Sequence, residues 1–114
     1  MEFEKNEIGS YTISEKAFED IASIAVKNVK NVYPVKKESE FVECKINKNN
    51  EVTMKISLRV KQGVDIVKLC SKVQDEVRES ILIMTGVECK KINIDIQGFE
   101  KNETKKNREY EVNP

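Results

Sequence analysis

Residues 51–61 read E-V-T-M-K-I-S-L-R-V-K. In an extended chain Val52, Met54, Ile56, Leu58 and Val60 point one way. Thr53, Lys55, Ser57, Arg59 and Lys61 point the other. Residues 41–47 alternate as well, with Val42, Cys44 and Ile46 set against Glu43 and Lys45. Lys48-Asn49-Asn50 lies between the two runs, and Asn tolerates the positive φ of a tight turn. Together the runs predict a β-hairpin with one buried face.

The pattern changes on both sides of the hairpin. Gly63 ends the strand, and Asp65 can cap a helix. Ile66, Leu69, Cys70, Val73, Val77, Ile81 and Met84 then recur at helical spacing, which predicts an amphipathic helix of about twenty residues. Gly86 suits the left-handed position after its end. Val87 and Cys89 have odd parity, whereas Ile92, Ile94 and Ile96 have even parity. A one-residue slip flips faces, so a bulge or the true strand start is predicted near Lys90-Lys91. Upstream, Ser14 caps a helix over residues 15–29, with Glu15 and Asp20 near its positive end. Phe18, Ile21, Ala22, Ala25 and Val29 form its inner stripe, widened by Ile24 and Val26. Residues 8–13 predict a short strand interrupted by Gly9. Residues 31–37 contain Pro34, which cannot donate to a ladder, and predict an edge segment or loop.

The order is β-α-β-β-α-β, with at most one apolar face per strand. The predicted fold class is therefore α+β in two layers, with both helices on one face of a mainly antiparallel sheet. A ferredoxin-like arrangement is the nearest known solution to that order. Residues 1–7 are polar and read as a frayed N-terminus, and residues 8–99 as a single domain. Residues 100–114 are mostly charged. They bury too little to offset ordering and read as a disordered tail.

Composition narrows the chemistry. The 114 residues are 39% apolar and 35% charged, and 20 basic residues balance 20 acidic ones. A general nucleic-acid binder would need a cationic surplus. Cys44, Cys70 and Cys89 are odd in number and show no ligand-like spacing, so reduced thiols in the cytosol are expected rather than a disulfide framework or zinc site. The chain has no histidine, which removes the commonest general base and metal ligand. No enzymatic activity, cofactor or metal is expected. The first residues, MEFEKNEIGSYTI, lack the apolar run of a signal peptide. No stretch reaches the roughly 20 apolar residues that span a bilayer, so direct membrane insertion is not expected.

The segment from Val60 to Phe99 resembles the alkaline-shock protein family, the envelope stress response proteins found widely in Gram-positive bacteria. Gly63 before the helix, Val73-Gln74 within it and Met84-Thr85-Gly86 at its end carry the likeness. Ile92-Asn93-Ile94 and Gln97-Gly98 extend it through the last strand. Ile13-Ser14, Ile21-Ala22, Ala25 and Val29-Lys30-Asn31-Val32 resemble the family's first helix and its exit. The chain departs from the pattern at Gln62, usually aromatic, at Val67, usually Pro, and at Asn31, usually Gly. The resemblance implies a cytoplasmic protein without catalysis, linked to cell-envelope stress or homeostasis. It further implies a self-associating scaffold or adaptor, a homo-oligomer, whose protein partners include a membrane-anchored one.

Several residues invite a sharper reading. Lys45, Lys55, Arg59, Lys61 and Lys91 collect on the outer sheet face as a candidate interaction surface. A solvated face is the ordinary reading, and a protein partner the next. Single-stranded RNA readers add stacking aromatics. None is expected among these outward residues, and Glu43 and Asp95 interrupt the patch. A regulatory nucleic-acid binder is therefore the alternative function. Gln74 and Asn93 read either as ligand or partner contacts or as hydrogen bonds tying helix to strand or loop. Cys70 and Cys89 lie on apolar faces and read as small buried hydrophobes. Gly63-Val64-Asp65 reads as a helix cap.

Overall fold

A computed structural model describes residues 2–5, 9–35, 37 and 41–101. Their order is β1 (Glu2–Lys5), β2 (Gly9–Thr12), α1 (Glu15–Lys27), β3 (Val32–Pro34), β4 (Val42–Ile46), β5 (Val52–Lys61), α2 (Ile66–Thr85) and β6 (Lys91–Glu100). Strand β5, the run that reads most cleanly in the sequence, is the spine of the main sheet. Antiparallel β4 covers its first half, from Val42 opposite Ile56 to Ile46 opposite Val52. Antiparallel β3 covers its second half, with Val32 opposite Val60 and Pro34 opposite Leu58. Strand β6 runs parallel to β5 over its full length, from Lys91 opposite Thr53 to Glu100 opposite Lys61. Thus β3 and β4 share one edge of β5 in tandem, and β6 takes the other.

The expected two-layer α+β architecture with both helices on one side is present, and three of the four strand pairings are antiparallel. A ferredoxin-like order would place another strand between those joined by the helix. Here β5, α2 and β6 form an unsplit βαβ unit. The expected first strand also joins a different partner. Strand β2 pairs with β1, from Glu2 opposite Thr12 to Lys5 opposite Gly9, in a separate two-stranded sheet. Residues 2–5 are therefore paired rather than frayed. Their E-F-E-K alternation has strand period.

The helix ends follow the sequence closely. Ser14 Oγ accepts the Ala17 N–H at 3.1 Å, and Asp65 Oδ1 accepts the Lys68 N–H at 3.2 Å. Gly86 adopts φ 77° and donates its N–H to the Leu82 carbonyl at 2.8 Å. Asn31 and Asn50 take φ 71° and 62°, the turn role that short amide side chains tolerate. Helix α1 ends at Lys27, two residues before the expected end, but Val29 stays buried.

The core joins Phe18, Ala22 and Val26 of α1, Val73, Val77 and Ile81 of α2, and the even-numbered residues of β5. Two expected stripes narrow. Ile24 of α1 is exposed, as are Ile66 and Met84 of α2, and Cys70 is only partly buried. Ile66 and Met84 fall on the buried side by angle, but they sit at the ends of a 20-residue helix packed beside one of 13 residues. At 1.5 Å per residue the ends of α2 outrun α1.

Strand β6 starts at Lys91, as the parity change requires, and Val87 and Cys89 are buried in the connection before it. A further irregularity was not expected. Leu58 faces Ile96 and Arg59 faces Gly98, so Gln97 is an extra residue. Such a bulge resets the parity of the residues that follow. Glu100 belongs to β6 rather than to the tail, and residues 102–114 lie outside those described.

Each helix also serves one edge of the sheet. Glu19 Oε2 accepts the Cys44 N–H at 2.9 Å, and Glu15 Oε2 accepts the Ile46 N–H at 2.8 Å. These carboxylates, one turn apart on α1, satisfy donors that β4 turns away from β5. On the far side Gln74 Nε2 of α2 donates to the Ile92 carbonyl at 3.0 Å. The reading of Gln74 as a helix-to-strand tie therefore holds, while Asn93 is exposed on the outer face.

Candidate interaction surface

The pairing register builds the outer sheet face row by row. Lys45 and Lys91 flank Thr53, Glu43 and Asn93 flank Lys55, Asp95 faces Ser57, Tyr33 and Gly98 flank Arg59, and Glu100 faces Lys61. Strands lie about 4.8 Å apart, so Lys45 and Lys91 stand two strand spacings from each other with Lys55 on the diagonal. These three lysines are exposed.

Arg59 is already engaged. Its Nη2 lies 2.6 Å from Glu100 Oε1 and donates to the Phe99 carbonyl at 3.5 Å. The side chain crosses Gly98, where a Cβ would stand 3.6 Å from Arg59 Nε. The bulge at Gln97 sets this arrangement by placing glycine opposite the arginine. Lys61 has Glu100 as its neighbour in register. The five-residue basic patch therefore resolves into a lysine triangle and a neutralised arginine. Ser57 is only 4% exposed, so part of this face is covered. Tyr33 does lie on the face, contrary to the expectation of no aromatic there. Its signal was available in the V-Y-P run of β3, which the sequence alone left open between edge strand and loop.

A surface depression of about 690 Å³ runs beside α1 between Lys16, Asp20, Ile24, Lys27 and Phe41. Its charges are paired locally. Lys16 Nζ meets Asp20 Oδ1 at 2.8 Å, and Lys27 Nζ sits 5.9 Å from the Phe41 ring centroid. The thiols are held protonated. Burial, with Glu15 and Glu19 adding to it, pushes Cys44 up to about 12. Burial also raises Cys70 and Cys89. Such thiols are poor nucleophiles at neutral pH. Among the described residues no acidic or thiol cluster is arranged to hold a metal ion. None of the described helices is long and apolar enough to cross a membrane.

Exposed apolar side chains form the other notable feature. Leu82, Ile83 and Met84 lie in the last turn of α2, and Ile83 and Met84 are 74% and 67% exposed. The sequence contained this signal. Ile81-Leu82-Ile83-Met84 is four apolar residues in a row, which one helix face cannot bury together. Met84, expected in the buried stripe, belongs to this exposed run instead.

A search of curated proteins finds no match. One similar solved structure is Era in complex with MgGDPNP and nucleotides 1506–1542 of 16S ribosomal RNA, at 7% identity and a TM-score of 0.45. That alignment covers 96% of this chain and 39% of that one. The model of the alkaline shock protein 23 family, of cell envelope-related function, matches residues 3–101. The chain belongs to the alkaline shock protein family, whose function is related to the cell envelope.

Proposed function

We propose that this chain is a non-catalytic, self-associating scaffold or adaptor of the cell envelope, acting in the cytoplasm and docking on a membrane-anchored protein. The exposed Leu82-Ile83-Met84 run on α2 carries this reading. Exposed apolar patches on soluble domains mark protein contacts, and the family's function is related to the envelope. The raised thiols and locally paired charges favour binding over catalysis. Light scattering over a concentration series tests the reading. Mass should rise with concentration, and a strict monomer at high concentration would count against it.

Tyr33 beside Arg59, with Lys45, Lys55 and Lys91 on the same face, favours a second reading as a regulatory nucleic-acid binder. A salt titration of RNA binding decides this. No binding at low salt rules it out, because phosphate contacts are strongest there.

A further inference from the structure

The two edges of the main sheet are finished differently. On β5 the backbone N–H and C=O groups of odd-numbered residues turn toward β4 and β3, as the bonds from Ser57 N–H to the Phe41 carbonyl and from Lys61 N–H to the Asn31 carbonyl show. Those of even-numbered residues turn toward β6, and Gln62 N–H accordingly reaches the Glu100 carbonyl. In a parallel ladder this sends the N–H and C=O groups of Ile92, Ile94 and Ile96 to the open edge. The Gln74 bond to the Ile92 carbonyl agrees with that direction. At the β4 edge, α1 supplies carboxylates to both Cys44 and Ile46. Among the described residues, no strand pairs with the outer edge of β6. Its inner face is also incompletely covered. Ile94 and Ile96 are half-buried, and Phe99 is 51% exposed.

We propose that this edge docks a second copy of the chain, whose β6 adds antiparallel about a two-fold axis through Asn93. The proposal rests on the self-association reading and names its surface. Charge complementarity selects the partner and the register. With the axis at Asn93, Ile92 of each copy faces Ile94 of the other in hydrogen-bonded pairs. Lys91 of each copy then faces Asp95 of the other in the closer, non-hydrogen-bonded pairs. Both charged side chains are exposed on the outer face. An axis at Asp95 would set two carboxylates against each other. An axis at Ile94 would oppose Lys91 to the bulged Gln97 and pair no charges. The Ile92 carbonyl can accept from both Gln74 and the second copy, since it has two lone pairs.

Sedimentation velocity on the full chain tests this with Lys91→Asp and Asp95→Lys, separately and mixed. Each variant alone should weaken self-association by about tenfold or more, because both cross-strand pairs become like-charged. An equimolar mixture should restore it, as the carboxylate introduced in one variant meets the ammonium introduced in the other. That restoration separates repulsion from misfolding. If both single variants associate as the parent does, the edge is not the interface, although the self-association reading stands. If the parent itself is a strict monomer, that reading fails and the interface with it. Stronger association on cutting the chain after Lys101 would assign the edge to residues 102–114 and overturn the proposal.

Discussion

Cys44 sits on the inner face of β4, where burial comes first and Glu15 and Glu19 second in pushing its thiol up to about 12. An unfolded cysteine ionises near ~8.5. Between these values the unfolded chain has released a proton that the folded chain keeps, so stability falls as pH rises through that window. We predict that Cys44→Ala flattens the loss. Unfolding free energies from urea titrations of both proteins, neutral to alkaline, should differ in pH slope by up to about 1.4 kcal/mol per pH unit. Parallel slopes would refute the assignment. Asn31 offers a second check. At φ 71°, Asn31→Gly should be nearly neutral in denaturation, while Asn31→Val should cost about 1–2 kcal/mol. This position was legible in the sequence, because amide side chains and glycine are the residues that accept the left-handed region. The Cys44 environment was only half legible. Strand parity placed the thiol inside, but nothing local announces two carboxylates from a helix 25 or more residues upstream.

The same distance in sequence separates what was readable in the elements from what was not. The turn at Lys48-Asn49-Asn50, the start at Lys91 and both N-caps follow from neighbours within a few positions. The parallel pairing of β6, the bulge at Gln97 and the edge caps join segments far apart, so periodicity is silent about them. The α1 carboxylates are the clearest case. Removing the Glu19 side chain as Glu19→Ala leaves the Cys44 N–H without its 2.9 Å acceptor, and thermal or urea unfolding should show a loss of about 1–3 kcal/mol. Glu19→Gln should retain most of the stability, because an amide oxygen also accepts. At the far end of α2 the expectation is reversed. Ile83→Lys replaces an exposed side chain and should change folding stability by no more than about 0.5 kcal/mol, while concentration-dependent association measured by light scattering weakens. A large stability loss would mean that this helix end is packed, not free.

At the scale of the whole molecule, β5 holds two halves of unequal locality. Strand β4 reaches it through the short turn after Ile46, whereas β6 returns only after the entire length of α2. The sequence showed each part of this layout and not their order in space, since parallel pairing through a helix leaves no mark on either strand's pattern. Unequal locality also has a kinetic side. Closing a long loop costs entropy before its contacts repay it, so the hairpin half can form early while β6 must wait for α2. The last strand to dock is then the first to let go. In native-state hydrogen exchange, the Asn93 and Asp95 amides, which face β5, should open at lower free energy than those of Glu43 and Lys45 on its other edge. Equal protection on the two sides would show that the sheet opens as one unit. If β6 does detach first, each departure uncovers the even-numbered row of β5, and the same strand from a neighbouring molecule could fill it by exchange.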